Sequence, residues 1–152
     1  MREHIRQATP ADANRIAEIE VFNYRLNFYP IFRNDKFYFR ELQVDKETGK
    51  LLADEDIFQN AYVYDDGVVK GFILIDGNEV WKLYVEPVLQ GQSIGGELLE
   101  YAKERHGVKS LWALEKNTRA VKFYEKHGFY ATDEKIFEEG TTEYLVKMKR
   151  KI

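Results

Sequence analysis

Residues 85–96 read Val-Glu-Pro-Val-Leu-Gln-Gly-Gln-Ser-Ile-Gly-Gly. An apolar run over residues 80–85 precedes the glycines, and Leu98, Leu99, Tyr101 and Ala102 come after them with the spacing of an amphipathic helix. The glycines therefore fall in a turn from a strand into a helix. Such a turn aims several backbone N–H groups at one spot, where the positive end of the helix dipole also lies. Gly91, Gly95 and Gly96 keep side chains out of that approach. The chemistry served is the binding of a pyrophosphate. A Walker loop is excluded, because no Gly-Lys-Ser/Thr follows. The dinucleotide fingerprint fails on its glycine spacing, and on the missing acidic residue about 20 positions further on.

A second stretch can be set beside the first. Residues 117–129 read Asn-Thr-Arg-Ala-Val-Lys-Phe-Tyr-Glu-Lys-His-Gly-Phe, with a strand-like segment at 110–114 between the two. Together they resemble the GNAT N-acetyltransferases. In that family the acetyl-CoA loop has the core Arg/Gln-x-x-Gly-x-Gly/Ala, and a later helix carries Asn-x-x-Ala-x-x-Phe-Tyr-x-x-x-Gly-Phe. Here Gln90 opens the loop, Ile94 fills its apolar slot and Gly95 closes it, while Ser93 stands where the family usually has its first glycine. The helix motif matches at every signature position. The likeness is close over residues 61–150 and holds only in outline elsewhere.

The resemblance implies acetyl-CoA as the cofactor. Its pyrophosphate would meet the backbone of Gln90, Gly91, Gln92, Ser93, Ile94, Gly95 and Gly96. Its pantetheine arm would lie beside Leu83, Tyr84 and Val85 as an added strand does, where family members have a bulge and a splayed strand pair. Asn117, Phe123 and Tyr124 would complete the site. If Ser93 needs a positive φ, serine costs about 1 kcal/mol against glycine, which a hydroxyl contact to phosphate would offset; the alternative is a tolerated substitution with no role.

Acyl transfer to an amine further needs a neutral amine and a protonated leaving thiolate. Tyr124 is the candidate acid, since a phenol stays protonated at neutral pH; its alternative is core packing beside Phe123. Glu79 is the candidate base, its alternative a solvated glutamate at a strand start. Asn117 is also a good helix N-cap. Trp81 shares a strand face with Glu79 by the two-residue period, provided no bulge intervenes, which makes it a candidate wall of the acceptor pocket, its alternative core packing. Tyr24, Arg25, Tyr29 and Phe32 fall in the family's variable acceptor-binding region, where arginine would suit a carboxylate-bearing acceptor; their alternative is a surface helix face with a buried aromatic stripe. Small-molecule and peptide amines both stay open as acceptors. The reading from a different class is a non-catalytic acyl-CoA-binding module.

Composition bounds the rest. The chain has 152 residues, a net charge of −3, 10 Tyr, 10 Phe and no cysteine. That argues against general nucleic-acid binding, disulfides and an acyl-cysteine intermediate. Its three histidines lack metal-ligand spacing, so no metal is expected. No signal peptide or membrane span is read, and a cytoplasmic location is expected. Homodimers are common in the family, though no residue here demands one. The expected fold is one α/β (α+β) domain over 1–152, with a mixed, mostly antiparallel sheet of six to seven strands and helices on both faces. Its elements are a first strand at 4–8, a helix from Thr9-Pro10 that ends or bends at Pro30, and a short helix near 39–46. Three strands come next, across the turns Asp66-Gly67 and Asp76-Gly77. Helices at 95–104 and 118–127 and strands at 110–114, 129–137 and 143–149 complete it.

Overall fold

The computed structural model describes residues 3–138 and 140–151. A three-residue strand, β1 (Ile5–Gln7), leads to Thr9, whose N–H donates to the Asp12 carboxylate at 2.8 Å. A short turn then enters α1 (Ala13–Asn23). The helical path continues past Asn23 as a wider π-type turn over residues 24–28 and resumes as α2 (Tyr29–Phe32). Pro30 sits in the first turn of α2, where its missing N–H costs little. The break comes at Arg33, which adopts the left-handed conformation at φ 52°.

The short helix expected near 39–46 lies elsewhere. Residues 36–41 form a second π-type turn, and the regular helix is α3 (Val44–Ala53). Phe37, Tyr38 and Phe39 are consecutive and define no helical face. Asp45 and Glu47, by contrast, stand in the first turn of α3, where the dipole favours them.

Next come β2 (Ala61–Asp65), β3 (Val69–Asp76) and β4 (Glu79–Val85), joined by the two Asp-Gly turns into an antiparallel meander. The remaining elements are α4 (Ile94–His106), β5 (Ser110–Leu114), α5 (Thr118–Lys126), β6 (Phe129–Phe137) and β7 (Tyr144–Arg150). Among the described residues seven strands form one sheet in the order β1-β2-β3-β4-β5-β7-β6, and only the β4–β5 pair is parallel. Alternation along β3 divides the core between the two faces. Phe72 and Leu74 join Ile16 and Ile19 of α1 on one side. Ile73 and Ile75 join Leu98 and Leu99 of α4, with Phe129 and Met148, on the other.

Two irregularities interrupt the centre of the sheet. Leu74 pairs with Lys82 but Ile75 pairs with Val80, so Trp81 is an extra residue on β4. This bulge turns Trp81 out of the ladder, 60% exposed. It also moves Lys82, rather than Trp81, onto the face of Glu79, so the uninterrupted two-residue period does not hold here. The second irregularity is a parting of strands. β4 and β5 pair only at Glu79–Ser110 and Val80–Leu111. Beyond that point β4 stays with β3 and β5 stays with β7, and a wedge opens through the sheet.

Candidate active site

The wedge opens into a cavity of about 690 Å³. Leu83, Tyr84 and Val85 line it from β4, and Gln90, Gly91, Ser93, Ile94, Gly95 and Gly96 from the loop and the start of α4. Asn117, Phe123 and Tyr124 line it from the α5 side, and Trp81 from the bulge. Gln92 is exposed and lies off the wall. Glu79 also lies off the wall, in the pair just before Val80–Leu111, after which the strands part, and the Ser110 hydroxyl donates to its carboxylate at 3.0 Å.

Helix geometry explains the character of the loop end. Glu97 N–H donates to Ser93 O at 3.0 Å, closing the first turn of α4. The N–H groups of Ile94, Gly95 and Gly96 precede that bond and belong to the unsatisfied start of the helix. Ser93 caps this start at φ 67° with no side-chain cap bond, and Gly91 lies at φ 89°. Gly96 has a packing reason of its own. A Cβ there would stand 3.0 Å from His127 Cε1, so the missing side chain is what lets α4 lie against the end of α5. A Cβ on Gly95 would make ordinary contacts at 3.5 Å with Phe123 and Val85.

The α5 side carries the polar groups. Asn117 Oδ1 accepts from Ala120 N–H at 3.3 Å, which makes it the N-cap. Burial pushes the Tyr124 phenol up to about 12, so it is a fully protonated donor at neutral pH. Arg119, Lys126 and His127 also line the cavity. His127 Nδ1 lies 2.9 Å from Glu100 Oε2, and Lys103 Nζ lies 3.1 Å from the same oxygen. Burial opposes the Glu100 carboxylate, but hydrogen bonds from His127 and Lys103 outweigh it and hold the group below its ordinary value.

Sequence reasoning missed Asn23, which is 2% exposed. Its amide donates to Ile19 O and Val85 O at 2.8 Å each, and its Oδ1 accepts from Asn27 and Gln90 at 3.2 Å. One buried side chain thus ties α1 to the end of β4 and to the loop, and it lines the cavity with Asn27 and Phe28. The only signal for it was a polar residue, followed four positions later by another, within an otherwise apolar helix stripe.

The acceptor-region residues divide. Tyr24 and Phe32 line a second cavity, of about 590 Å³, next to the first. Tyr24 also meets Tyr84 edge-on, with ring centroids 5.7 Å apart. Burial raises both phenols, Tyr84 the more strongly. Lys82 Nζ bonds Glu20 at 2.7 Å beside them. Tyr29 and Arg25 line neither cavity. The Tyr29 hydroxyl donates to Asp35 at 2.6 Å. The Arg25 guanidinium donates to the carbonyls of Tyr38 and Leu42 at 3.0 and 3.1 Å, so it braces the π-type turns instead of facing a ligand. Among the described residues no group of His, Cys, Asp or Glu is arranged to hold a metal ion, and no helix is long and apolar enough to cross a membrane.

A glycine-rich helix start, a split sheet and a half-buried phenol around one cavity define an acyltransferase-type site. Residues 55–131 match the family model described as Acetyltransferase (GNAT) domain, and the chain belongs to that family. Peptidyl-lysine N-acetyltransferase YiaC of Escherichia coli is 32% identical over 76 residues, covering 49% of this chain and 52% of that protein. Peptidyl-lysine N-acetyltransferase YjaB of Salmonella typhimurium is 37% identical over 70 residues, covering 46% and 48%. The chain thus spans about half the length of these curated relatives. The crystal structure of PaiA N-acetyltransferase from Thermoplasma acidophilum in complex with coenzyme A superposes with a TM-score of 0.72 at 21% identity, over 95% of this chain and 97% of that one. At that identity the likeness is one of fold.

Proposed function

We propose that this protein is an acetyl-CoA-dependent N-acetyltransferase that acetylates a primary amine by direct attack in a ternary complex. The observation that carries the proposal is the parting of β4 from β5 above the open N–H groups of α4, with the Tyr124 phenol on the same cavity. The residues present fit the cofactor: Gly91 puts no side chain in the way at its place in the loop, the start of α4 offers donors for phosphate, and the parted strand offers main chain for an extended arm. The complex of PaiA with coenzyme A supports the same choice. The names of YiaC and YjaB support a peptidyl lysine as the acceptor class.

When bound, acetyl-CoA supplies an acetyl thioester whose carbonyl carbon is open to an amine. The N–H groups of Ile94, Gly95 and Gly96 hold its phosphates, and residues 83–85 orient its arm, with Asn117 beside them. A lysine-type amine arrives protonated, since its pKa is about 10.4. Glu79 takes that proton, and because its carboxylate lies off the cavity wall the transfer runs through a water. Tyr124 serves the departing sulfur. Its phenol, near 12, lies about 3 to 4 pKa units above an ordinary thiol, so complete proton transfer costs roughly 5 kcal/mol. Tyr124 Oη–H therefore acts as a hydrogen-bond donor to the thiolate and gives up its proton only as solvent replaces it.

The test is thiol release from acetyl-CoA across amines, amino acids, polyamines and lysine peptides. The chain has no cysteine and adds no thiol background. Release that depends on acceptor supports the enzyme. Coenzyme A binding without release from any acceptor would instead leave a cofactor-binding module. Glu79→Gln should slow release at neutral pH, and the deficit should shrink as pH approaches the pKa of the acceptor; an unchanged rate at every pH removes Glu79 as the base.

A further inference from the structure

The second cavity shares Phe28 with the first, so the two adjoin at that side chain. Its walls have two sources. Tyr24, Phe28, Phe37 and Tyr38 present aromatic surface from the first helical region, and Glu138 and Glu143 stand opposite in the segment between β6 and β7. Among the described residues that line it, these two carboxylates are the charged groups, and no cation is among them. The arginine that could have reversed this balance, Arg25, spends its guanidinium on the Tyr38 and Leu42 carbonyls. Glu143 is bridged by Lys116 at 2.9 Å, but Lys116 is 64% exposed, and a bridge to such a side chain is worth about 0 to 1 kcal/mol. A ligand cation can compete with it. The Tyr38 phenol is pushed up to about 12 by burial first, with Tyr24 and Glu138 adding to it, in keeping with negative charge felt inside the cavity.

Aromatic faces and carboxylates around one space favour an ammonium, which gains from the ring quadrupole and from the opposite charge. We infer that this cavity holds a second cationic group of the acceptor, so that the preferred substrate is a diamine: one amine passes Phe28 to react, and the other stays as an ammonium among the rings, Glu138 and Glu143. The inference rests on the acetyltransferase proposal for the fate of the first amine. A carboxylate at the far end of the acceptor would meet like charge, so free amino acids and amino acid tails are disfavoured. Two sources share the favoured chemistry: a polyamine, and a lysine with a basic neighbour in a peptide.

The experiment compares three acceptors of one length: 1,6-diaminohexane, hexylamine and 6-aminohexanoate. After allowance for its two equivalent amines, the diamine should exceed hexylamine in kcat/KM by about tenfold, mostly through KM, with 6-aminohexanoate the poorest. The double variant Glu138→Gln/Glu143→Gln should lose this preference while binding coenzyme A as before. Equal values for diamine and hexylamine, a better 6-aminohexanoate, or a preference that survives in the double variant each overturns the inference. Calorimetric binding of the same three compounds to the protein loaded with coenzyme A reads the preference without turnover. If no acceptor releases thiol yet the diamine binds best, the acetyltransferase proposal fails and the cation site stands; equal binding fails the site alone. Spermidine against short peptides carrying Lys-Lys or Lys-Ala then identifies the source.

Discussion

Replacing Ser93 with glycine should stabilise the protein and weaken its hold on coenzyme A at the same time. Ser93 sits at φ 67°, and its side chain makes no cap bond that would offset the conformation. An L-residue held there costs about 1–2 kcal/mol. Glycine escapes this cost but orders more backbone on folding, a loss of roughly 0.5–1 kcal/mol. The net gain is about 0.5–1 kcal/mol, or about 1–4 °C in Tm for a domain of this size. The hydroxyl works in the other direction. Ser93 lines the cavity beside the donors of α4, and a hydrogen bond from it to a phosphate contributes about 1.5–3 kcal/mol. Its loss should weaken binding by about tenfold or more. Calorimetric unfolding and coenzyme A titration of wild type, Ser93→Gly and Ser93→Ala separate the two effects. Alanine keeps the strain and loses the hydroxyl, so it should weaken binding as glycine does without raising Tm. A Ser93→Gly protein no more stable than wild type refutes the strain argument, and undiminished affinity in both variants refutes the hydroxyl contact.

Tyr124→Phe should lower turnover about a hundredfold while leaving coenzyme A affinity within about twofold; full activity by thiol release would exclude the phenol from the chemistry. Gly96→Ala drives a Cβ to 3.0 Å from His127, whose ring is held by Glu100; an overpacking cost of about 1–3 kcal/mol should outweigh the helical gain of about 0.5–1 kcal/mol and lower Tm, and an unchanged or raised Tm would refute the packing role. Glu100, whose folded pKa is depressed chiefly by hydrogen bonds from His127 and Lys103 against the pull of burial, adds stability that is fully present above its ordinary value of 4.5 and is lost as pH falls through the folded value. Urea unfolding from pH 6 down to pH 3 should therefore fall more steeply for wild type than for Glu100→Gln, and parallel curves would contradict the depressed pKa.

The loop and the α5 helix were legible because their signals are local. Glycine, serine and asparagine at fixed spacing specify a turn and two caps, and Ser93 at positive φ is the cost anticipated from its place in the motif. The Asp-Gly turns marked the meander for the same reason. The bulge at Trp81 was not legible, since a single register shift leaves no trace in an alternating strand. The stretch from Tyr24 to Leu42 misled in two ways. Consecutive aromatics carry no period, so the helix appeared too early, and Arg25 read as a ligand contact although it serves backbone carbonyls. Asn23 acts through partners in α1, at the end of β4 and in the loop, a combination that exists only once the chain has folded.

The contact between Gly96 and His127 reaches beyond packing. It brings α4 up to the end of α5, and the Glu100 bond to His127 fastens them there. The N–H groups proposed to hold phosphate stand on one of these helices and the Tyr124 phenol on the other, so the proposed anchor and the hydroxyl are tied together through that contact. A molecule anchored by its phosphates then has its far end set down at a fixed remove from that anchor. The paired helices behave as a ruler. Coenzyme A analogues with an arm shortened or lengthened by one methylene should still be gripped, yet bring their sulfur to the wrong graduation.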